Sequence, residues 1–537
     1  MKMNSRMLMR IVAVVIVLGI FGWQWWGKHH GQRATADAGA HASASASVAV
    51  AAVPTKPVKP APPATLKMGT LTLTACQLKR PHSAVTVPAF CAKFPVPENR
   101  ANPDSRTIDL KLAIVKSDSQ LPQKDMVVYL AGGPGQSAIQ TYPELAGALA
   151  PLLKQHDVLL LDQRGMGGSH LLSCPETGAA MMKLAKQPFD PQRTRAVTAQ
   201  CLAEVEKTSD PRFYTTSDAV TDLEAVRKAL GSPKFDLIGV SYGTRMAQQY
   251  AGAHPDAVRS IVLDGVVPNT MILGETFAEA LEHSLKLQAA ACDEAPACKK
   301  AYGDWYQTLH TLQGKLESQA PRQITFNDPR TFKPETRTLT ASTLAMVVRL
   351  FSYSTATAAL LPLAVDEAAK GNYAPLLGQS QMITGDLSGS TKDSMAGMSV
   401  VCSEDASFLK PRPQDADTVL GDKQIEELQA ICSVWPHGSA PKDFHAPFKS
   451  STPALLISGG RDPVTPPDYA AEVLKGLSDG RSLVVRGLGH AEAIGAGCMP
   501  KLVAEFVDKL DPKRLDATCL KRLGPLPAFV DFNGAAP

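Results

Sequence analysis

Residues 239–243 read Gly-Val-Ser-Tyr-Gly, a G-x-S-x-G placed between the apolar run Phe235–Val240 and a stretch with helical patterning. A serine hydroxyl attacks an acyl carbon only when it is held exposed on a sharp turn, and bulky side chains two positions to either side would crowd that turn. Gly239 and Gly243 leave the room. Five letters alone are weak, since an ordinary strand-to-helix turn can carry them. A nucleophilic serine also needs a base, and the base needs an orienting carboxylate. Of the twelve histidines, His490 alone follows the last apolar runs, framed by Gly487 and Gly489. Asp462 lies upstream in GGRDPVTPP, residues 459–467, after the run Ala454–Ser458. Its bland reading is a turn former ahead of Pro463. The chemical reading is acyl transfer with Ser241 as nucleophile, His490 as base and Asp462 as orienting acid. Developing oxyanion charge requires N–H donors. The expected pair is the amide of Tyr242 and that of Gly133 in Gly132-Gly133-Pro134-Gly135, because Pro134 has no N–H. A glycine-rich turn that is only a loop would look the same.

The elements around these residues place them consistently. Apolar runs end at polar or glycine clusters: Asp125–Leu130 before the glycines, His156–Leu161 before Asp162-Gln163-Arg164-Gly165, Ser260–Leu263 before Asp264, and Ser482–Arg486 before Gly487. Helical patterns alternate with them, notably Thr216–Leu230, stopped by Gly231, and Tyr242–His254. That alternation predicts an α/β fold: a mostly parallel sheet with helices on both faces and its chemistry at the C-terminal strand edge. Residues 67–266 and 450–537 form the two parts of this core. Residues 267–449 show helical patterns (Glu275–Ala291, Thr340–Phe351, Leu361–Ala369) and few convincing strands, and read as an inserted helical lid. Gly165-Met166-Gly167-Gly168-Ser169-His170 is not a dinucleotide fingerprint, because His170 stands where the third glycine is needed. Neither Cys-x-x-Cys nor His-Glu-x-x-His occurs, so neither a metal nor a cofactor is expected.

The 537 residues carry 55 Lys and Arg against 51 Asp and Glu, a net charge of +4. This balance argues against a nucleic-acid partner, which needs a concentrated basic face. Lys2, Arg6 and Arg10 precede the apolar run Ile11–Trp26. Residues 1–33 therefore read as a signal anchor that fixes the protein to a membrane, or as a signal peptide cleaved at the Ala-x-Ala sites of residues 36–40. Residues 34–66, rich in Ala, Ser and Pro, bury too little to fold and read as a tether. Either way an extracytoplasmic location follows, periplasmic or at the cell surface when anchored, or secreted when cleaved. The ten cysteines suit such a compartment, and the simplest pairing joins sequence neighbours: 76 to 91, 174 to 201, 292 to 298, 402 to 432 and 498 to 519.

GGPG at 132–135, DQRGMGGS at 162–169, GVSYGTR at 239–245, GGRDPVTPP at 459–467 and GLGH at 487–490 together resemble the prolyl iminopeptidase and tripeptidyl aminopeptidase branch of the α/β-hydrolases. The resemblance covers residues 68 to 519 and implies an exported serine exopeptidase with a helical lid. Its substrates would be short peptides or aminoacyl amides with a free N-terminus, cleaved through an acyl-enzyme. Ala131 stands where many iminopeptidases carry histidine, which leans the reading toward the tripeptidyl side. Such enzymes need an anion to hold the substrate ammonium at a fixed distance from the nucleophile. Relatives carry acids late in the lid, so Glu404 and Asp405 in Val-Cys-Ser-Glu-Asp are the expected amine anchors; otherwise they are a solvated acidic pair. Two other functions stay open: an ester or thioester hydrolase with the same triad, and a noncatalytic surface binding protein.

Overall fold

The computed structural model describes residues 64–79, 84–184, 187, 189–390 and 394–535. The expected anchor, and the expected tether up to residue 63, lie outside the described residues. Among the described residues no helix is long and apolar enough to cross a membrane.

Strands β1 (Thr65–Met68), β2 (Leu71–Lys79), β3 (Thr86–Pro97) and β4 (Thr107–Val115) are followed by β5 (Met126–Leu130), β6 (Asp157–Leu161), β7 (Phe235–Val240) and β8 (Val258–Asp264). A hairpin of β9 (Arg322–Asn327) and β10 (Pro334–Leu339) stands apart, and β11 (Ala454–Gly459) and β12 (Gly480–Val485) finish the main sheet. Its ten strands run in the order β1-β2-β3-β4-β6-β5-β7-β8-β11-β12. From β6 to β12 neighbours are parallel. The pairs from β1 to β4, and β4 with β6, are antiparallel.

Every residue of β5, β6, β7 and β11 is buried, as continuous apolar runs demand when a sheet is covered on both sides. Alternate residues feed opposite faces: Leu237 packs with Val128, Leu159 and Leu456, and Ile238 with Val127, Leu160 and Leu455. β2 and β3 instead show mixed exposure along their length, so they carry no continuous run, and the sequence reading begins its strands only at residue 125. Helix Thr216–Leu230 ends where its signals place it. Thr215 and Asp218 form a reciprocal capping box, and Gly231 closes the helix at φ 70°.

The chain between β8 and β11 differs from the expected lid in two ways. It contains the β9–β10 hairpin, in which Ile324 and Phe326 turn inward but most residues are half-exposed or exposed, so the segment carries no apolar run. It also divides. Its first part has a core of its own, with Leu285, Trp305, Leu309, Phe351 and Val365 packed together. Its last part returns to the sheet, where Ala396, Cys402, Cys432, Trp435 and Phe448 join the cluster of Leu237 and Tyr250, although Val419 and Leu420 between them pack in the first core. All five neighbouring cysteine pairs are disulfide-bonded.

Candidate active site

Ser241 sits between the buried end of β7 and helix Tyr242–Ala253 with φ 55° and ψ −126°, a conformation that costs a non-glycine residue of order 1–3 kcal/mol. The surroundings hold it there. Its N–H donates to Asp264 O at 2.9 Å, and its carbonyl accepts from Thr244 N–H at 2.8 Å and Thr244 Oγ1 at 2.6 Å. The glycines are needed for close approach: a Cβ on Gly243 would lie 2.0 Å from Leu130 O, and one on Gly239 2.5 Å from Gly243 O.

His490 Nε2 lies 2.9 Å from Ser241 Oγ, and its Nδ1 lies 2.8 and 3.0 Å from the two Asp462 oxygens. Asp462 is itself fixed, accepting from Val464 N–H, Thr465 N–H and Thr465 Oγ1, each at 2.8 Å. Three side chains far apart in sequence thus form one relay at the C-terminal edge of the sheet. Burial alone would lower the His490 pKa, but the charge and hydrogen bond of Asp462 more than offset it and raise it. The loop that presents the imidazole is tied to the insertion. His490 N–H donates to Tyr353 O at 2.8 Å, with the Tyr353 ring edge-on to the imidazole. Glu492 accepts from Gly489 N–H at 3.0 Å and from Thr355 Oγ1 at 2.7 Å. No sequence pattern marks Tyr353, Thr355 or Glu492. Beneath the imidazole, Asp264 accepts from Ile494 N–H through Oδ2, while its buried Oδ1 has no partner. Burial pushes this carboxyl up to about 7.

The glycine-rich turn after β5 reaches the same place, since a Cβ on Gly132 would lie 3.0 Å from Ser241 Cβ. It is pinned from below. Buried Asp162 accepts from Ser137 Oγ at 2.6 Å, Ile139 N–H at 3.0 Å and Gly168 N–H at 2.9 Å, joining the DQRGMGGS loop to the turn that contains Gly133. Arg164 is equally buried and grips Asp222 through two 2.7 Å bonds. These motif residues hold loops in register. They do not face the nucleophile's partners.

The acidic pair separates. Asp405 is fully buried, with its carboxylate on Arg245 Nη1 at 3.0 and 3.1 Å and on Leu273 N–H at 3.1 Å. Its charge is already met, which corrects the expectation that it anchors a substrate amine. Glu404, 2 % exposed, accepts from Thr216 N–H at 2.6 Å and Thr216 Oγ1 at 2.8 Å, and Thr216 Oγ1 lies 2.6 Å from the hydroxyl of Tyr242, the residue after the nucleophile. Burial, with the charge of Asp405, pushes the Glu404 carboxyl up to about 8. The sequence expectation of a solvated pair fails for both.

One cluster among the described residues, Asp125, His156 and Asp236, brings metal-ligating atoms within 4.8 Å of one another. Arg259 already occupies it, 3.2 Å from Asp125 and 3.0 Å from Asp236, and the cluster lies at the strand edge opposite Ser241. The guanidinium supplies the cation that the carboxylates require.

Comparison with known proteins identifies the family of the fold. A protein of Escherichia coli (strain K12), YuaR, which carries only a provisional hydrolase name, is 24 % identical over 439 residues, 76 % of this chain and 83 % of that protein. The serine protease Hip1 of Mycobacterium tuberculosis (strain ATCC 25618 / H37Rv) is 26 % identical over 48 % of this chain and 53 % of its own length. The tripeptidyl aminopeptidase of Streptomyces lividans is 30 % identical over 34 % of this chain and 36 % of its own. This chain thus spans about half of Hip1 and about a third of the aminopeptidase. Among solved structures, proline iminopeptidase of Mycobacterium smegmatis is 16 % identical with a TM-score of 0.34, covering 78 % of this chain and 98 % of that one. The profile of the alpha/beta hydrolase fold matches residues 125–491, from the start of β5 to the loop of His490, and the chain belongs to that family.

Proposed function

We propose that this protein is an exported serine peptidase that cleaves short peptides from a free N-terminus through an acyl-enzyme on Ser241. The single observation that carries the reading is the unbroken relay from Ser241 Oγ through His490 to Asp462. In this mechanism His490 Nε2 takes the hydroxyl proton as Oγ attacks the peptide carbonyl, and Asp462 stabilises the imidazolium that forms. The amides of Gly133 and Tyr242 receive the oxyanion. His490 then protonates the departing amine, and a water activated by the same nitrogen releases the acyl group. The peptidase names of the relatives favour an amide over an ester substrate. Export is supported by the N-terminal apolar run after three cations and by five disulfides, which persist in oxidising compartments.

Glu404 is the proposed amine anchor. A carboxyl held largely neutral by burial becomes a strong partner when an ammonium arrives and supplies the missing counter-charge. Ser241→Ala should abolish fluorophosphonate labelling and lower kcat/KM by roughly 10⁴-fold or more. Glu404→Gln should raise KM for an aminoacyl-nitroanilide about 10- to 100-fold, the worth of a charge-assisted hydrogen bond, and leave a simple ester unaffected. Equal hydrolysis of the nitroanilide and its N-acetylated form would overturn the free-amine requirement. An unlabelled wild-type protein would overturn the enzyme reading.

A further inference from the structure

Helix Ala396–Glu404 ends in the proposed amine anchor, and its other end meets the glycine-rich turn. Gly397 is the second residue of that helix, where alanine is the better helix former. Packing explains the choice. A Cβ on Gly397 would lie 2.7 Å from Pro134 O and 3.4 Å from Pro134 C, main-chain atoms that cannot swing aside as a side-chain tip can. A Cβ on Gly378, inside helix Ala374–Ser390 of the same insertion, would meet nothing within 4 Å. The same stretch also covers Gly135, where a Cβ would lie 3.9 Å from Ser394 O and 4.0 Å from Gly397 N.

The helix cannot easily retreat from this contact. At its entry Ser394 Oγ donates to Gly165 O at 2.9 Å and Met395 N–H donates to Leu172 O at 2.7 Å. Ala396 packs on the same loop, for a Cβ on Gly165 would lie 2.9 Å from Ala396 Cβ. Farther along, Trp435 Nε1 donates to Ser399 Oγ at 2.9 Å, and Cys402 is bonded to Cys432. The turn is equally held. Asp162 grips Ser137 Oγ and Ile139 N–H just beyond it, so residues 132–135 lie between that carboxylate and the helix.

An oxyanion donor works because its direction is set before charge develops, and a displacement of about 1 Å is enough to cost a large part of the rate. We propose that Gly397 is a positioning residue for the oxyanion donor: bare backbone at this position lets the insertion seat the Pro134 carbonyl, and thereby fixes where the neighbouring Gly133 N–H points. The last part of the insertion then completes the catalytic centre as well as covering it. The inference rests on the acyl-transfer reading of Ser241 and asks nothing of the peptide sequence that is cleaved.

Gly397→Ala in the full chain tests it, with Gly378→Ala as the control in the same insertion. The second-order rate constant for labelling of Ser241 by a fluorophosphonate should fall at least about tenfold in Gly397→Ala and stay within about twofold of wild type in Gly378→Ala. With an aminoacyl-nitroanilide, kcat should fall by a similar factor while KM stays within about threefold, because the donor acts on the transition state. A peptide aldehyde, whose hemiacetal places an oxyanion on the same donors, should bind about tenfold more weakly to Gly397→Ala. The corresponding peptide alcohol should bind unchanged. A fold that was merely loosened would not separate the two. Should Gly397→Ala not fold, Ser394→Ala, which unties the helix entry from Gly165 O, should show the same split with at least about a threefold loss of labelling. Labelling of the folded variant at the wild-type rate, an equal loss in Gly378→Ala, or a raised KM with kcat unchanged overturns the proposal. A wild-type protein that is not labelled overturns the enzyme reading, and the proposal with it.

Discussion

At the scale of single residues the imidazole of His490 has two acids to answer to. Asp462 is saturated with donors and lies on Nδ1. Asp264 lies at the end of β8, and its charge also raises the pKa of His490. A general base must be neutral to act, so a raised imidazole pKa moves the acidic limb of kcat/KM to higher pH. Removing the Asp264 charge should therefore lower the His490 pKa and let activity persist to lower pH. Asp264→Asn is expected to shift the acidic limb downward by less than about half a unit, because a carboxyl pushed up to about 7 carries only part of its charge over that range, with kcat at its plateau within about threefold of wild type. A pH profile of kcat/KM decides this, and an unmoved limb would show that Asp264 only supports the loop of Ile494. Asp462 was legible in the sequence because it lies in a turn motif ahead of His490. Asp264 was not, since SIVLDG reads as one more strand end and an orphaned oxygen exists only in three dimensions.

At the scale of elements, what could be read from the chain was whatever is decided locally. Helix Thr216–Leu230 carries its own cap and stop, and the parallel strands are buried on both faces, so neither needs distant information. The antiparallel strands β2 and β4 alternate apolar and polar residues, as in Leu71-Thr-Leu-Thr and Ile108-Asp-Leu-Lys-Leu, but lack the long apolar run that marks the parallel strands, and the β9–β10 hairpin is shorter and more exposed still. The tie between the insertion and the histidine loop was equally invisible, because Glu492 and Thr355 meet across 137 residues without any motif. That tie makes a specific claim. Glu492→Ala leaves the N–H groups of Gly489 and Thr355 without their acceptor, so the loop loses hydrogen bonds to a charged group worth about 1.5–3 kcal/mol. The variant should unfold at lower temperature and lose roughly tenfold in kcat with KM nearly unchanged, because the imidazole is misplaced while the substrate site is intact. Equal losses in kcat and KM would mean that the loop also shapes the substrate site.

At the scale of the whole molecule, the disulfides and the charge network do different work. The five bridges close loops of 6 to 30 residues, so each constrains one neighbourhood. The ends of the sheet domain are joined without covalent bonds. His156 places Nδ1 2.8 Å from Asp125 and Nε2 3.0 Å from Asp508, on helix Met499–Lys509 and 352 residues away. Arg259 bridges Asp125 and Asp236 and donates to Val507 O at 2.9 Å. With carboxylates at both ring nitrogens, the imidazole must donate from each and is held as the cation. Burial opposes this, but the hydrogen bonds of Asp125 and Asp508 prevail and raise its pKa above 6.5. A histidine raised on folding contributes stability that is complete below its unfolded pKa, about 6.5, and is lost as pH rises through the folded value. Asp236 acts in the same direction: burial lifts it from 3.8 to about 7, so its contribution is present below 3.8 and gone above about 7. Asp125, held low once its hydrogen bonds to His156 and Asp236 outweigh burial, acts oppositely, and its share is lost only as pH falls below 3.8. The network is therefore strongest in mildly acidic solution. His156→Gln should cost about 1 kcal/mol at pH 6, because it leaves the half-buried Asp125 and the exposed Asp508 short of a cation, and less at pH 9, toward which the imidazolium is progressively lost. Thermal unfolding of both proteins at the two pH values provides the measurement. A deficit that is equal at pH 6 and pH 9 would show that His156 holds the C-terminal helix by packing alone, with no contribution from its charge.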